Sequence, residues 1–148
     1  MIYSGGWDKI VSVFDMRTTK PVAHITGPLI YGDTLDIKNG VIVTGSYWVE
    51  DCLELWDMKF LKAATLRWDP EDYNKGHLMG CRLDEYAKNV LAVSSKEDRF
   101  KIIDIDSNDV SHEVRDVGSK TLCMDATENA NKIAFGTKKG EVIVLSWI

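Results

Sequence analysis

The side chains of this 148-residue chain best suited to chemistry are its three histidines, its three cysteines and its many carboxylates. His24, His77 and His112 lie too far apart for the H-x-x-x-H or H-E-x-x-H spacing that sets two imidazoles around a zinc ion. Cys52, Cys81 and Cys123 form no C-x-x-C pair, so a zinc site or a dithiol redox pair lacks closely spaced ligands. Ser46 is not in a G-x-S-x-G turn, and neither G-x-x-x-x-G-K-[ST] nor G-x-G-x-x-G is present to cradle phosphate. The carboxylates of "WDPEDY" and "KED" fall in predicted loops, where solvation accounts for them. These residues imply no enzyme, no cofactor and no bound metal.

Composition narrows the remaining classes. Apolar residues make up 45% and charged residues 28%, as in a soluble globular domain with a real core. The net charge is −5 and the lysines and arginines are scattered, so nucleic-acid or membrane-surface binding is not expected. An odd number of distant cysteines and no Asn-x-Ser/Thr acceptor suit a reducing, intracellular compartment. "MIYSGGWDKI" has neither the basic nor the apolar region of a secretory signal, and runs such as "GVIV" are too short to span a bilayer.

The elements that must position any site repeat along the chain. "KIVSVFD", "CLELWD", "RFKIID" and "EVIVLS" end at Asp15, Asp57, Asp104 and Ser146, successive steps of 42, 47 and 42 residues. One face of each carries Val11/Val13, Leu53/Leu55, Phe100/Ile102 or Val142/Val144, and a bulky Phe14, Trp56, Ile103 or Leu145 precedes the last position. A shorter apolar strand stands before each: "IYSGG", "VIVTGS", "VLAVSS" and "KIAFGT", closed by Gly or Ser where the chain must turn. "DTLDI", "MGCRL" and "LCMDA" come ahead of three of these, while "PVAHIT", "KAATLRW" and "SHEVRDV" follow the motif ends. No segment has the 3.6-residue periodicity of an amphipathic helix.

Four short strands per unit of about 40–45 residues resemble a blade of the WD-repeat β-propeller family. The residues carrying the resemblance are "SGGWDKIVSVFDM", "TGSYWVEDCLELWDM", "GH" at 76–77, "SSKEDRFKIIDI" and "GTKKGEVIVLS". It implies an all-β partial propeller with units at 1–27, 28–69, 70–117 and 118–148. Only the second unit has the family's Trp-Asp, and the hydrogen-bonded Asp, His, Ser/Thr and Trp set is incomplete in every unit. By this reading Trp56 is packing, Asp15, Asp57 and Asp104 satisfy backbone donors, His77 is structural, and the cysteines fill core space.

The first unit opens at its second strand and the last closes at its third, which reads as an arc cut at its N-terminus. Met1 would then be internal to a longer protein or begin a partial gene product; a third possibility is that two arcs pair into a ring. Open blade edges make self-association a further expectation.

The family typically serves as a scaffold or adaptor, so the resemblance implies a protein partner gripped by rim loops. Trp7 in "GGWDK" and Tyr47 and Trp48 in "SYWVED" occupy turns that usually favour small polar residues. They either contact a partner or fold back onto a neighbouring blade. The acidic Asp69, Glu71 and Asp72 follow on the same rim by resemblance, a composition suited to a partner with a basic surface. The alternative is an enzyme or small-ligand protein with its site in the central channel, where Asp36, Arg82 and Asp125 are the polar candidates.

Overall fold

The computed structural model describes residues 1–47, 51–59, 63–68, 77–96 and 98–146, and the regular elements among them are all strands. The first sheet contains β1 (Ile2–Gly5), β2 (Ile10–Phe14) and β3 (Pro21–Thr26). The second contains β4 (Leu35–Lys38), β5 (Val41–Gly45), β6 (Leu53–Asp57) and β7 (Ala63–Thr65). The third contains β8 (Leu78–Leu83), β9 (Asn89–Ser94), β10 (Arg99–Asp104) and β11 (Val110–Val114). The fourth contains β12 (Thr121–Ala126), β13 (Lys132–Thr137) and β14 (Val142–Ser146). Each sheet is an antiparallel meander in chain order, the form of a β-propeller blade.

The blades stack because a strand puts alternate side chains on opposite faces. On β6, Leu53 and Leu55 point toward the third blade, and Trp56 points with Ile42 of β5 toward the first. We term the side toward the following blade the forward face and the other the backward face. Val11 and Ile25 meet Ile42 and Trp56; Leu53 and Leu55 join Val90 and Ile103; Phe100 and Ile102 join Ile133 and Phe135. The rings of Phe100 and Phe135 lie 5.2 Å apart across the last of these interfaces. The middle blades are thus buried on both faces, and hydrophobic burial between sheets supplies most of the stabilisation.

The aspartates that recur at the ends of the repeats have local causes. Asp15 Oδ1 accepts from the Arg17 amide at 3.0 Å, Asp57 Oδ1 from Lys59 at 2.6 Å, and Asp104 Oδ1 from Ser107 at 2.8 Å. The Arg17 side chain holds the partly buried Asp15 carboxyl down at about 2. Trp56 donates its indole N–H to the buried Thr44 hydroxyl at 2.9 Å, so the second unit has the Trp–Thr part of the hydrogen-bonded set. Cys52 and Cys81 are buried fillers as expected, but Cys123 is exposed. It pairs with Gly136 on the forward face of the last blade, which has no described neighbour.

Lys101 and Glu54 bring ionisable side chains into this packing. Lys101, on the backward face of β10, is 3% exposed. Its ammonium donates to the Trp68 carbonyl, stands 5.0 Å from the Trp68 ring centroid and lies 3.9 Å from Glu113. Glu54, on β6, is half-buried, and burial followed by the charge of Asp51 pushes its carboxyl up to about 7. The folded chain therefore binds this proton more tightly than the unfolded chain, whose carboxyl titrates near 4.5. That contribution is complete below the unfolded pKa and is lost as pH rises through about 7. Glu54→Gln is expected to unfold at a higher temperature than the parent at pH 8, with the difference shrinking toward pH 5. Melting curves with the same pH dependence in both proteins would exclude this assignment.

Candidate functional site

The rim carrying the β1–β2 and β5–β6 turns is built by backbone hydrogen bonds from one blade to the next. Ile30 N–H donates to the Gly6 carbonyl at 3.2 Å, Tyr47 to Leu29 at 2.9 Å, and Leu78 to Ser46 at 3.2 Å. Gly5 permits the first approach: a Cβ there would stand 2.7 Å from Cγ1 of Ile30. The connection at 27–34 is thereby pressed into the space between the first two blades, with Ile30 buried and Tyr31 on the surface.

Four rings line up along this rim. Trp7 stacks on Tyr31 with centroids 5.6 Å apart, Tyr31 meets Tyr47 at 4.8 Å, and Tyr47 meets the His77 ring edge-on at 4.6 Å. Trp7 is 72% exposed and Tyr31 37%, while Tyr47 is half-buried against the core shared by the third and fourth blades. Tyr47 thus rests on a neighbouring blade and also continues the row. Burial, reinforced by Lys96, lowers the His77 pKa and favours its neutral ring. Its Nδ1 is buried with no hydrogen-bond partner among the described residues. Asp8 and Asp51 lie in the same turns as Trp7 and the β5–β6 connection and are exposed.

Of the six rim residues singled out in the sequence, Trp7 and Tyr47 are placed on either side of Tyr31, which stacks on Trp7 and meets Tyr47 at a tilt of 38°. Trp48, Asp69, Glu71 and Asp72 lie outside the described residues. Tyr31 was missed because "PLIYGD" has no strand alternation; its only signal is its place just before Gly32-Asp33, matching the position ahead of Gly76-His77.

The channel candidates also come together. Arg82 on β8 donates to the Asp33 carboxylate, to the Asp33 carbonyl at 3.3 Å and to Asp125 on β12 at 3.2 Å. Burial disfavours the guanidinium, but the Asp33 and Asp125 carboxylates outweigh it and raise its pKa. Asp36 accepts from the Leu83 amide at 2.8 Å. These groups link the innermost strands of three blades, and a ligand would have to displace those pairings. Among the described residues, no group of three or more His, Cys, Asp or Glu side chains is placed to hold a metal ion.

No protein-family model matches the sequence, and no curated protein matches it significantly. In structure it is similar to a chain of the Mitotic Checkpoint Complex, with a TM-score of 0.78 and 11% sequence identity. The match covers 98% of this chain and 46% of the other, so the chain spans about half the length of that neighbour. The fold is that of a WD40-like β-propeller, here with four blades in an arc.

Proposed function

We propose that this chain is a non-catalytic platform for protein–protein interaction that grips its partner along the aromatic rim. The observation that carries this reading is the row Trp7, Tyr31, Tyr47 and His77, held across three blades. Rings packed against one another present a large apolar area that is already ordered, so a partner contacting them loses little further side-chain entropy. Such aromatics supply a disproportionate share of binding energy in protein contacts. Asp8 and Asp51 on this rim, with the acidic Asp69, Glu71 and Asp72 of the connection at 68–77, favour a partner with a basic surface. WD40-like propellers are generally scaffolds, and the structural neighbour belongs to a multiprotein assembly. The three unpaired cysteines fit a reducing intracellular setting.

A photo-crosslinking residue placed at Trp7, compared with one at Met16 on the opposite rim, tests this reading in cells. Adducts to a discrete protein are expected from position 7 and not from position 16. Trp7→Ala is then expected to weaken binding of that protein by about 2 kcal/mol, roughly 30-fold, with the fold unchanged. Equal labelling from both positions, or undiminished affinity of Trp7→Ala, would refute the rim assignment.

A further inference from the structure

The middle ring of the rim row is placed by the residues on either side of it, and one of these is held from the channel. Ile30, just before Tyr31, is buried between the first two blades, and its amide donates to the Gly6 carbonyl. Just after Tyr31, Gly32 has a φ of +74°, and a Cβ there would stand 3.0 Å from the Met79 carbonyl oxygen. Asp33 then pairs in parallel with Gly80 of β8. Its amide donates to Met79 at 3.3 Å and its carbonyl accepts from Cys81 at 3.1 Å. Arg82 closes on the same residue. Cys81 points into the core, so alternation turns Arg82 toward the channel, where its side chain is only 19% exposed. Nη2 donates to the Asp33 carboxylate and Nη1 to the Asp33 carbonyl at 3.3 Å. Nη1 also donates to the Cys81 carbonyl at 2.9 Å, which fixes the guanidinium plane. Asp125, the other carboxylate partner, is 79% exposed, and ion pairs open to water contribute little.

We propose that Arg82 is a positioning residue for the rim, fixing Tyr31 through Asp33 so that the row from Trp7 to Tyr47 stays continuous. This rests on the reading of that row as the partner site. Tyr31 meets both of the other rings, at 5.6 Å and 4.8 Å, so its placement decides whether they form one surface or two. Only Gly32 lies between Tyr31 and Asp33, and glycine restricts the direction of the chain least of all residues. The hold on Asp33 therefore supplies the order. A guanidinium suits this task because its planar fork reaches a carboxylate and a carbonyl together, whereas a lysine ammonium is a point charge on a flexible stem. Arg82 acts from the channel side, by keeping the surface ordered before a partner arrives.

Fluorine NMR of the chain labelled with fluorotryptophan tests this without any partner. Trp7→Phe identifies the Trp7 signal by its loss, Trp56→Phe identifies that of Trp56, and Tyr31→Leu gives the position of an unstacked Trp7. Arg82→Gln and Asp33→Asn are each expected to move the Trp7 signal toward the Tyr31→Leu position and to leave Trp56 in place. Arg82→Lys should fall between the parent and Arg82→Gln, and Asp125→Asn should match the parent. An unmoved Trp7 signal in folded Arg82→Gln overturns the proposal, and Asp33→Asn decides the matter if Arg82→Gln does not fold. So does an equal displacement in Asp125→Asn, or an equal displacement of the Trp56 signal, since either reports a general loosening of the blades. The protein crosslinked from position 7 should bind Arg82→Gln about 2- to 10-fold more weakly, the cost of re-ordering a side chain on binding. Unchanged affinity beside a displaced Trp7 signal would overturn the row as the partner site, an assignment that a failure of the spectrum leaves untouched.

Discussion

Phe100→Ala is expected to lower the unfolding free energy by about 3–5 kcal/mol, the usual range for emptying a buried aromatic site. Val142→Ala should cost less than about 0.5 kcal/mol when the chain is monomeric, because exposed substitutions forfeit little burial. The two residues hold the same position in their blades, so the covering blade adds to the difference expected from the larger Phe ring. Phe100 is fully buried against Phe135 and Ile133, whereas Val142 faces outward from the end of the arc. Urea titration of both variants at low protein concentration provides the measurement. Equal losses would mean that the blade faces have been assigned wrongly.

The second expected effect concerns the bond between Trp56 and Thr44. Trp56→Phe retains an aromatic ring between the first two blades but removes the donor that reaches the fully buried Thr44 hydroxyl. An orphaned buried polar group costs about 1–3 kcal/mol, whereas replacing both partners by apolar groups is far less damaging. Trp56→Phe should therefore destabilise by about 2 kcal/mol, and adding Thr44→Val should recover a substantial part of it. Strictly additive losses in this cycle would show that the hydrogen bond contributes nothing specific.

Much of the fold was legible because its signals are local. "LELWDM" alternates as a strand and ends in an aspartate that caps its own turn, and the same grammar recurs at Asp15 and Asp104. The innermost strands could be placed from "DTLDI", "MGCRL" and "LCMDA", with boundaries shifted by one or two residues. Residues whose environment depends on a neighbouring blade were not legible. Lys101 lies in a strand where a lysine suggests a solvent face, yet Trp68 from another blade covers it. Cys123 has the opposite history: an apolar context in sequence, but a place on an uncovered face. The rim divides in the same way. Trp7 and Tyr47 stand out as bulky residues in turns, but Tyr31 becomes part of the row only when blades are packed side by side.

Among the described residues, the three apolar clusters each lie between two sheets, and none is common to all four. The stability of such an arc is close to a sum of nearest-neighbour terms. Opening the first or fourth blade forfeits one interface, whereas opening the second or third forfeits two and divides what remains. Local unfolding therefore starts at the ends, leaving β4–β11 as the most protected backbone. Exchange of amide hydrogens is expected to follow that gradient, with the arc melting inward like a row of coupled units rather than all at once.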